Sequence, residues 1–165
     1  MPNNSGNSEV QRMMRDAGNS VGMTYECTAS GADDYKVNEA LKNTFNFSSV
    51  EGPTWLHQSN YSAGSYLTVK SNLDNNWPVM LGGYTSRTNV FLGIFYTWQE
   101  GHLWVCDGYM ETQDACYSYL SFHMNWGWHE IGFGNDFNGW YAFNLWNPNN
   151  RNFKYAQDYI YNIHP

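Results

Sequence analysis

Two stretches restrict the folds open to this chain more than any others. Gly101-His102-Leu103-Trp104-Val105-Cys106-Asp107-Gly108 sets an imidazole at the mouth of an alternating apolar run and closes on an Asp-Gly turn. Phe122-His123-Met124-Asn125-Trp126-Gly127-Trp128 reads as a second strand ending in Trp-Gly-Trp. Alternation with a period of two is the signature of a pleated strand. Between the runs, Glu111 to Cys116 is short and polar, as a hairpin connection should be. Antiparallel pairing then brings His102 and an Asn/Trp cluster to neighbouring strand ends, a common way to hold a general base.

The rest of the chain divides in the middle. Val10, Met13 and Met14 at helical spacing predict a short helix over 9–16, with Gly18 as its stop. Ser30-Gly31-Ala32-Asp33 has the form of a capping box, and Val37, Leu41 and Phe45 line one face of a helix running to about Phe45. Turn formers over 48–63 read as a loop, followed by a short helix over 65–73. After Pro78 the texture becomes strands: 79–83, 90–98, 102–109, 117–124, 140–143 and 158–163. Aromatic residues make up 18% of the chain, and rings of that bulk suit a pleated surface. The expected class is α+β: short N-terminal helices, then a curled antiparallel β-sheet or partial barrel. Residues 1–8 read as a flexible lead-in and 9–165 as a single domain.

Charge and composition exclude several partners. With 8 Lys and Arg and a formal charge of −7, a phosphate-tracking stripe cannot be assembled, so nucleic acid is not an expected partner. No apolar run reaches the roughly 18 residues of a membrane span, so no membrane is expected, and residues 1–8 lack a signal-peptide core. Cys27, Cys106 and Cys116 form neither a metal spacing nor an even disulfide framework. A zinc site drawn from His102, His123 and His129 has no regular ligand spacing, and Asp33, Asp34 and Glu39 do not fit a calcium loop. Neither a metal nor a cofactor is expected.

The series Gly-His-x-x-Val-x-Asp-Gly, His-x-Asn-Trp-Gly-Trp and Gly-Trp-Tyr resembles the C-terminal half of the streptopain-like, papain-like cysteine peptidases of bacteria. The likeness extends upstream through 10–18, Val21-Gly22-Met23-Thr24-Tyr25 and Ser30-Gly31-Ala32, and covers nearly all of the chain after about residue 8. It implies a papain-like half, a peptide or protein substrate, and export from the cell. In its terms His102 is the catalytic base, with Asn125, Trp126 and Trp128 as the catalytic surroundings that orient and cover it. Ser30, Gly31 and Gly101 are the substrate-binding residues, Gly101 because a missing side chain lets substrate backbone approach.

Two registers compete for orienting the imidazole. Asn125 approaches His102 directly, or Trp128 is the cover and Trp126 stands where papain-like enzymes carry their Asn; spacing and the family motif favour the second. The family's nucleophile sits in a Gly-Cys-Val-Ala-like stretch upstream of the matching segment, and no such stretch occurs in these 165 residues. Cys106 shares a strand and a face with His102 but stands ~13 Å along it, too far for proton transfer. Cys27 and Cys116 read as ordinary loop thiols, so no nucleophile is assigned.

The reading is a His-bearing C-terminal portion of a cysteine endopeptidase, inactive alone. The alternative is a non-catalytic relative that binds peptides or a partner through the same cleft. The expected partners are the missing Cys-bearing segment or a second copy, since an aromatic patch near His102, Trp126 and Trp128 needs a cover. An aromatic carbohydrate-binding face is the rival of a different class; it explains the composition but not the ordered motif series.

Overall fold

The computed structural model describes residues 8–27, 30–55, 63–91, 93–128, 137–143 and 145–165. Helix α1, Ser8–Ser20, runs past the expected stop. Gly18 lies in its last turn, where a Cβ would collide with the Tyr25 hydroxyl, so that glycine serves close packing. The chain leaves the helix at Gly22, in the left-handed region at φ +61°, while the Met23 N–H donates to the Gly18 carbonyl. Two-residue strands β1, Thr24–Tyr25, and β2, Ser30–Gly31, then pair as a small ribbon. Ser30 therefore does not cap a helix. Helix α2, Asp34–Asn43, starts after Asp33, which makes no side-chain cap bond, and stops short of Phe45.

Strand β3, Ser49–Trp55, occupies part of the expected loop. Its Pro53 argues against a central strand, and β3 lies at a sheet edge, where a missing donor is tolerated. Helix α3, Ala63–Asp74, is followed by β4, Val79–Phe91, and by the 19-residue β5, Phe95–Gln113. The turn between these two strands falls at Gly93, inside what the sequence suggested was one strand over 90–98. His102 consequently sits within a long strand and does not begin one. Strands β6, Ser118–Asn125, β7, Gly139–Ala142, and β8, Tyr155–His164, complete the sheet.

The sheet has the order β3-β8-β4-β5-β6-β7, with every pair antiparallel. The α+β class stands, but the expected curl into a partial barrel does not. Strands β3 and β7 are opposite edges, and the sheet is open. The core explains why: a barrel buries one face inside itself, whereas both faces of this sheet are covered. Leu81, Trp104, Cys106, Phe122, Met124 and Tyr159 pack with Val69 of α3 on one side. Val50, Ile160 and Ile163 pack with Val37 and Leu41 of α2 on the other. Leu81 and Ile160 are buried almost completely, each worth ~1.5–3 kcal/mol in transfer free energy.

Among the described residues, no helix is long and apolar enough to cross a membrane. Ser8 of the expected lead-in over 1–8 begins α1, while 1–7 and 129–136, His129 among them, lie outside the described residues.

Candidate active site

Strand pairing builds the site. Val105 pairs with Asn125, so the chain past Asn125 continues alongside Trp104, Leu103 and His102. Among the described residues, Asn125 makes no hydrogen bond to the imidazole. Its side-chain oxygen instead accepts the Gly127 N–H at 3.0 Å. Gly127, at φ +67°, adopts the left-handed conformation that this tight turn needs. From the other side, the Asn138 side-chain oxygen accepts the Trp126 N–H at 2.8 Å. With its N–H held, Trp126 presents its main-chain carbonyl to His102 Nε2 at 2.8 Å.

That contact fixes the tautomer. A carbonyl oxygen only accepts, so Nε2 carries the proton and Nδ1 carries the lone pair. The ring lies in an aromatic clamp: Trp128 is 4.7 Å away between centroids, Phe153 5.9 Å, and Trp104 and Trp126 6.2 Å each. Trp126 is only 1% exposed, so the expected open patch does not include it. Burial pushes the His102 pKa below its ordinary value; the Trp126 carbonyl opposes this, and the nearby Arg151 charge adds to it. The imidazole is therefore neutral at neutral pH and able to accept a proton at Nδ1.

His102 borders a cleft of about 500 Å³. Ser30, Gly31 and Gly101 line the same cleft, so four of the sequence-derived site residues meet there. Trp126 and Trp128 join them through the imidazole, while Asn125 acts at one remove by shaping the turn. A Cβ at Gly101 would come within 2.6 Å of the Tyr84 ring, and one at Gly82 would collide with the Asp158 carboxylate. Backbone thus forms part of the cleft wall.

The carboxyl part of the lining, on the other face of the sheet from the imidazole, went unread in the sequence. Asp158 of β8 is 5% exposed and lies close to Asp34 at the start of α2. Burial first, and then the neighbouring Asp34 carboxyl, push its pKa up to about 8. Asp33 and Asp34 looked like a solvated helix beginning, and Asp158 like a polar strand start; nothing local marks a carboxyl that a fold will bury. Asn138 and Phe153 were missed for a similar reason, since each contacts the site from a distant segment.

The cysteines do not complete a dyad. Cys106 is fully buried, donates toward the Gly108 carbonyl, and has its thiol pushed up to about 12 by burial. Such a thiol is inert. Cys116 lies at the far hairpin turn, beyond the last β5–β6 pair at Gln113 and Ser118, roughly 35 Å along the strand from His102. Cys27 is exposed in the β1–β2 connection and makes no hydrogen bond to His102 among the described residues. His123 faces away from His102, with Nδ1 2.6 Å from Asp107 on the outer face, so the two imidazoles do not share an ion.

The site thus has an imidazole held by a main-chain carbonyl and packed among tryptophans, on an antiparallel sheet beside a cleft walled partly by backbone. The chain belongs to the peptidase C10 family, whose profile matches residues 1–141. It is also 29% identical over 140 residues to the thiol protease/hemagglutinin PrtT of Porphyromonas gingivalis. That match takes in 84% of this chain but 13% of the relative, so the chain spans a small part of that protein's length.

Proposed function

We propose that this chain is the base-bearing part of a streptopain-like cysteine endopeptidase centre, with the nucleophile supplied by a segment outside it. The observation that carries this reading is the His102 arrangement: Nε2–H is tied to the Trp126 carbonyl, Nδ1 keeps its lone pair, and the residue borders a cleft that Ser30, Gly31 and Gly101 also line. In this mechanism Nδ1 takes the proton of an incoming cysteine thiol, and the thiolate attacks a peptide carbonyl in the cleft. The imidazolium then returns the proton to the leaving amine, and water, deprotonated by the same nitrogen, hydrolyses the acyl-enzyme. The Nε2–H bond to the Trp126 carbonyl keeps the ring from rotating between these steps.

A peptide or protein substrate and a site of action outside the cell belong to the same proposal. A second reading, a non-catalytic relative that holds peptides in this cleft, is favoured by one observation: none of the three cysteines of this chain is joined to His102.

The test uses casein or a fluorogenic peptide under reducing conditions. This chain alone should release nothing. A longer gene product that also carries a Gly-Cys-Val-Ala-like stretch should turn over, and His102→Ala should lower that rate by about two to four orders of magnitude. Turnover by this chain alone that one of its own cysteines supports would sink the proposal. Activity of the longer product that ignores His102→Ala would do the same.

A further inference from the structure

Strands β4 and β5 outrun the rest of the sheet. The last β4–β8 pair is Tyr84 with Tyr155, and the first β5–β6 pair is Val105 with Asn125. Beyond them, Ser86 to Phe91 and Phe95 to Gln99 pair only with each other among the described residues. This leaves a two-stranded arm reaching ~20 Å from the sheet. Its end carries Val90, Ile94 and Phe95 around Gly93, and the sequence has no charged residue from Thr88 to Gln99. Val90, Ile94 and Phe95 are 61%, 69% and 62% exposed.

The geometry points to the arm's apolar end inserting into the surface of a lipid bilayer of zwitterionic headgroups. Two observations favour lipid over a protein partner. First, Gly93 at the turn has both its main-chain polar groups satisfied from within the arm: the Asn89 side-chain oxygen accepts the Gly93 N–H at 3.1 Å, and the Tyr96 hydroxyl donates to the Gly93 carbonyl at 2.9 Å. Acyl chains offer no hydrogen bonds, so a segment entering them must arrive already satisfied.

Second, the chemistry is graded along the arm in the order a bilayer presents. Behind the apolar end stands a collar in which Arg87 lies 4.4 Å over the Tyr96 ring and Trp98 lies 6.0 Å from Tyr96. Amphipathic rings and long cations of this kind collect at the headgroup level. From Val90 back to Arg87 the strand rises ~10 Å, the depth an interfacial element reaches. The chain's net charge of −7 opposes anionic headgroups, which is why the surface is assigned as zwitterionic. The lack of a spanning segment bears only on crossing a membrane, and surface insertion does not require one.

Co-sedimentation with phosphatidylcholine vesicles tests this, using the full chain and its Ile94→Ser/Phe95→Ser double variant. The unmodified chain should sediment with the vesicles, and added phosphatidylglycerol should not strengthen binding. The double variant should bind about a hundredfold more weakly, because two large apolar side chains no longer leave water. Both residues are exposed, so its thermal melt should match that of the unmodified chain. Absence of vesicle binding, binding to anionic vesicles alone, or equal binding by the variant would overturn the assignment. So would a lipid-free dimer in sedimentation velocity that the double variant dissolves, since the arm would then belong to a second copy.

Discussion

The two faces of the sheet wall in titratable groups by opposite means. On one wall a single imidazole is enclosed by tryptophans and a phenylalanine, with the Trp126 carbonyl as its hydrogen-bond partner. On the other a carboxyl is buried beside the Gly82 backbone, close to a second carboxyl at Asp34. Burial drives both groups toward neutrality, but from opposite ends of the pH scale. Between the lowered pKa of His102 and the value of about 8 at Asp158, both groups are uncharged together. Neither then brings a fixed charge to the lining of the cleft that both residues border.

The largest effect falls at Trp126, whose ring flanks His102 and whose carbonyl holds it. Trp126→Ala should cost about 3–5 kcal/mol of stability, as other buried Trp truncations do. His102 should also titrate nearer its ordinary value, because its apolar clamp is opened. Denaturant unfolding reads the first effect and the imidazole proton resonances the second. A loss below ~1 kcal/mol would show that the aromatic wall is not the packed unit described.

Smaller effects come from pH, and their signs differ between the walls. Asp158 has a raised pKa in the fold, so its contribution is fully present below the unfolded carboxylate value of about 3.9 and is lost as pH rises through about 8. His102 has a lowered one, so its contribution is present above about 6.5 and is lost as pH falls through its folded value. Asp158→Asn, which keeps the shape, should flatten the fall between about pH 4 and 8. His102→Gln should remove the opposing loss on the acid side of about 6.5. Unfolding free energies from about pH 4 to 9 read both; if Asp158→Asn leaves the slope up to about 8 unchanged, the Asp158 carboxyl is not what titrates.

The legibility of the sequence follows the same division. The His102 wall is built from adjacent strands whose apolar alternation is local, so the β5–β6 pairing and the meeting of His102, Trp126 and Trp128 could be read from spacing. The Asp158 wall joins the start of α2 to the last strand, and nothing in Asp33-Asp34 or in Asp158 records that distant partner. The barrel expectation failed for a related reason. Strand texture gives a period but not a closure, and the two helices that cover opposite faces decide between an open sheet and a closed one. Strand β3 was lost among the turn formers of 48–63, Pro53 included, because an edge position that excuses a proline cannot be seen from the proline itself.

The finest test concerns Asn125, where two registers were open. If Asn125 held the imidazole, its removal would free a catalytic ring; in the structure it holds the Gly127 N–H instead. That bond is exposed, so water replaces the lost acceptor, and Asn125→Ala should cost only about 0.5–1 kcal/mol. The Trp126 carbonyl remains bonded to His102 because Asn138 still grips the Trp126 N–H from the other side. The imidazole titration should therefore move by no more than a few tenths of a unit, about 0.5 kcal/mol at most. The same substitution should leave the activity of the longer, cysteine-bearing product within about threefold, roughly 0.65 kcal/mol at the transition state. A loss of a hundredfold or more, or a His102 titration that shifts by a full unit, would return the orienting role to Asn125 and dissolve the carbonyl-held arrangement on which the base assignment rests.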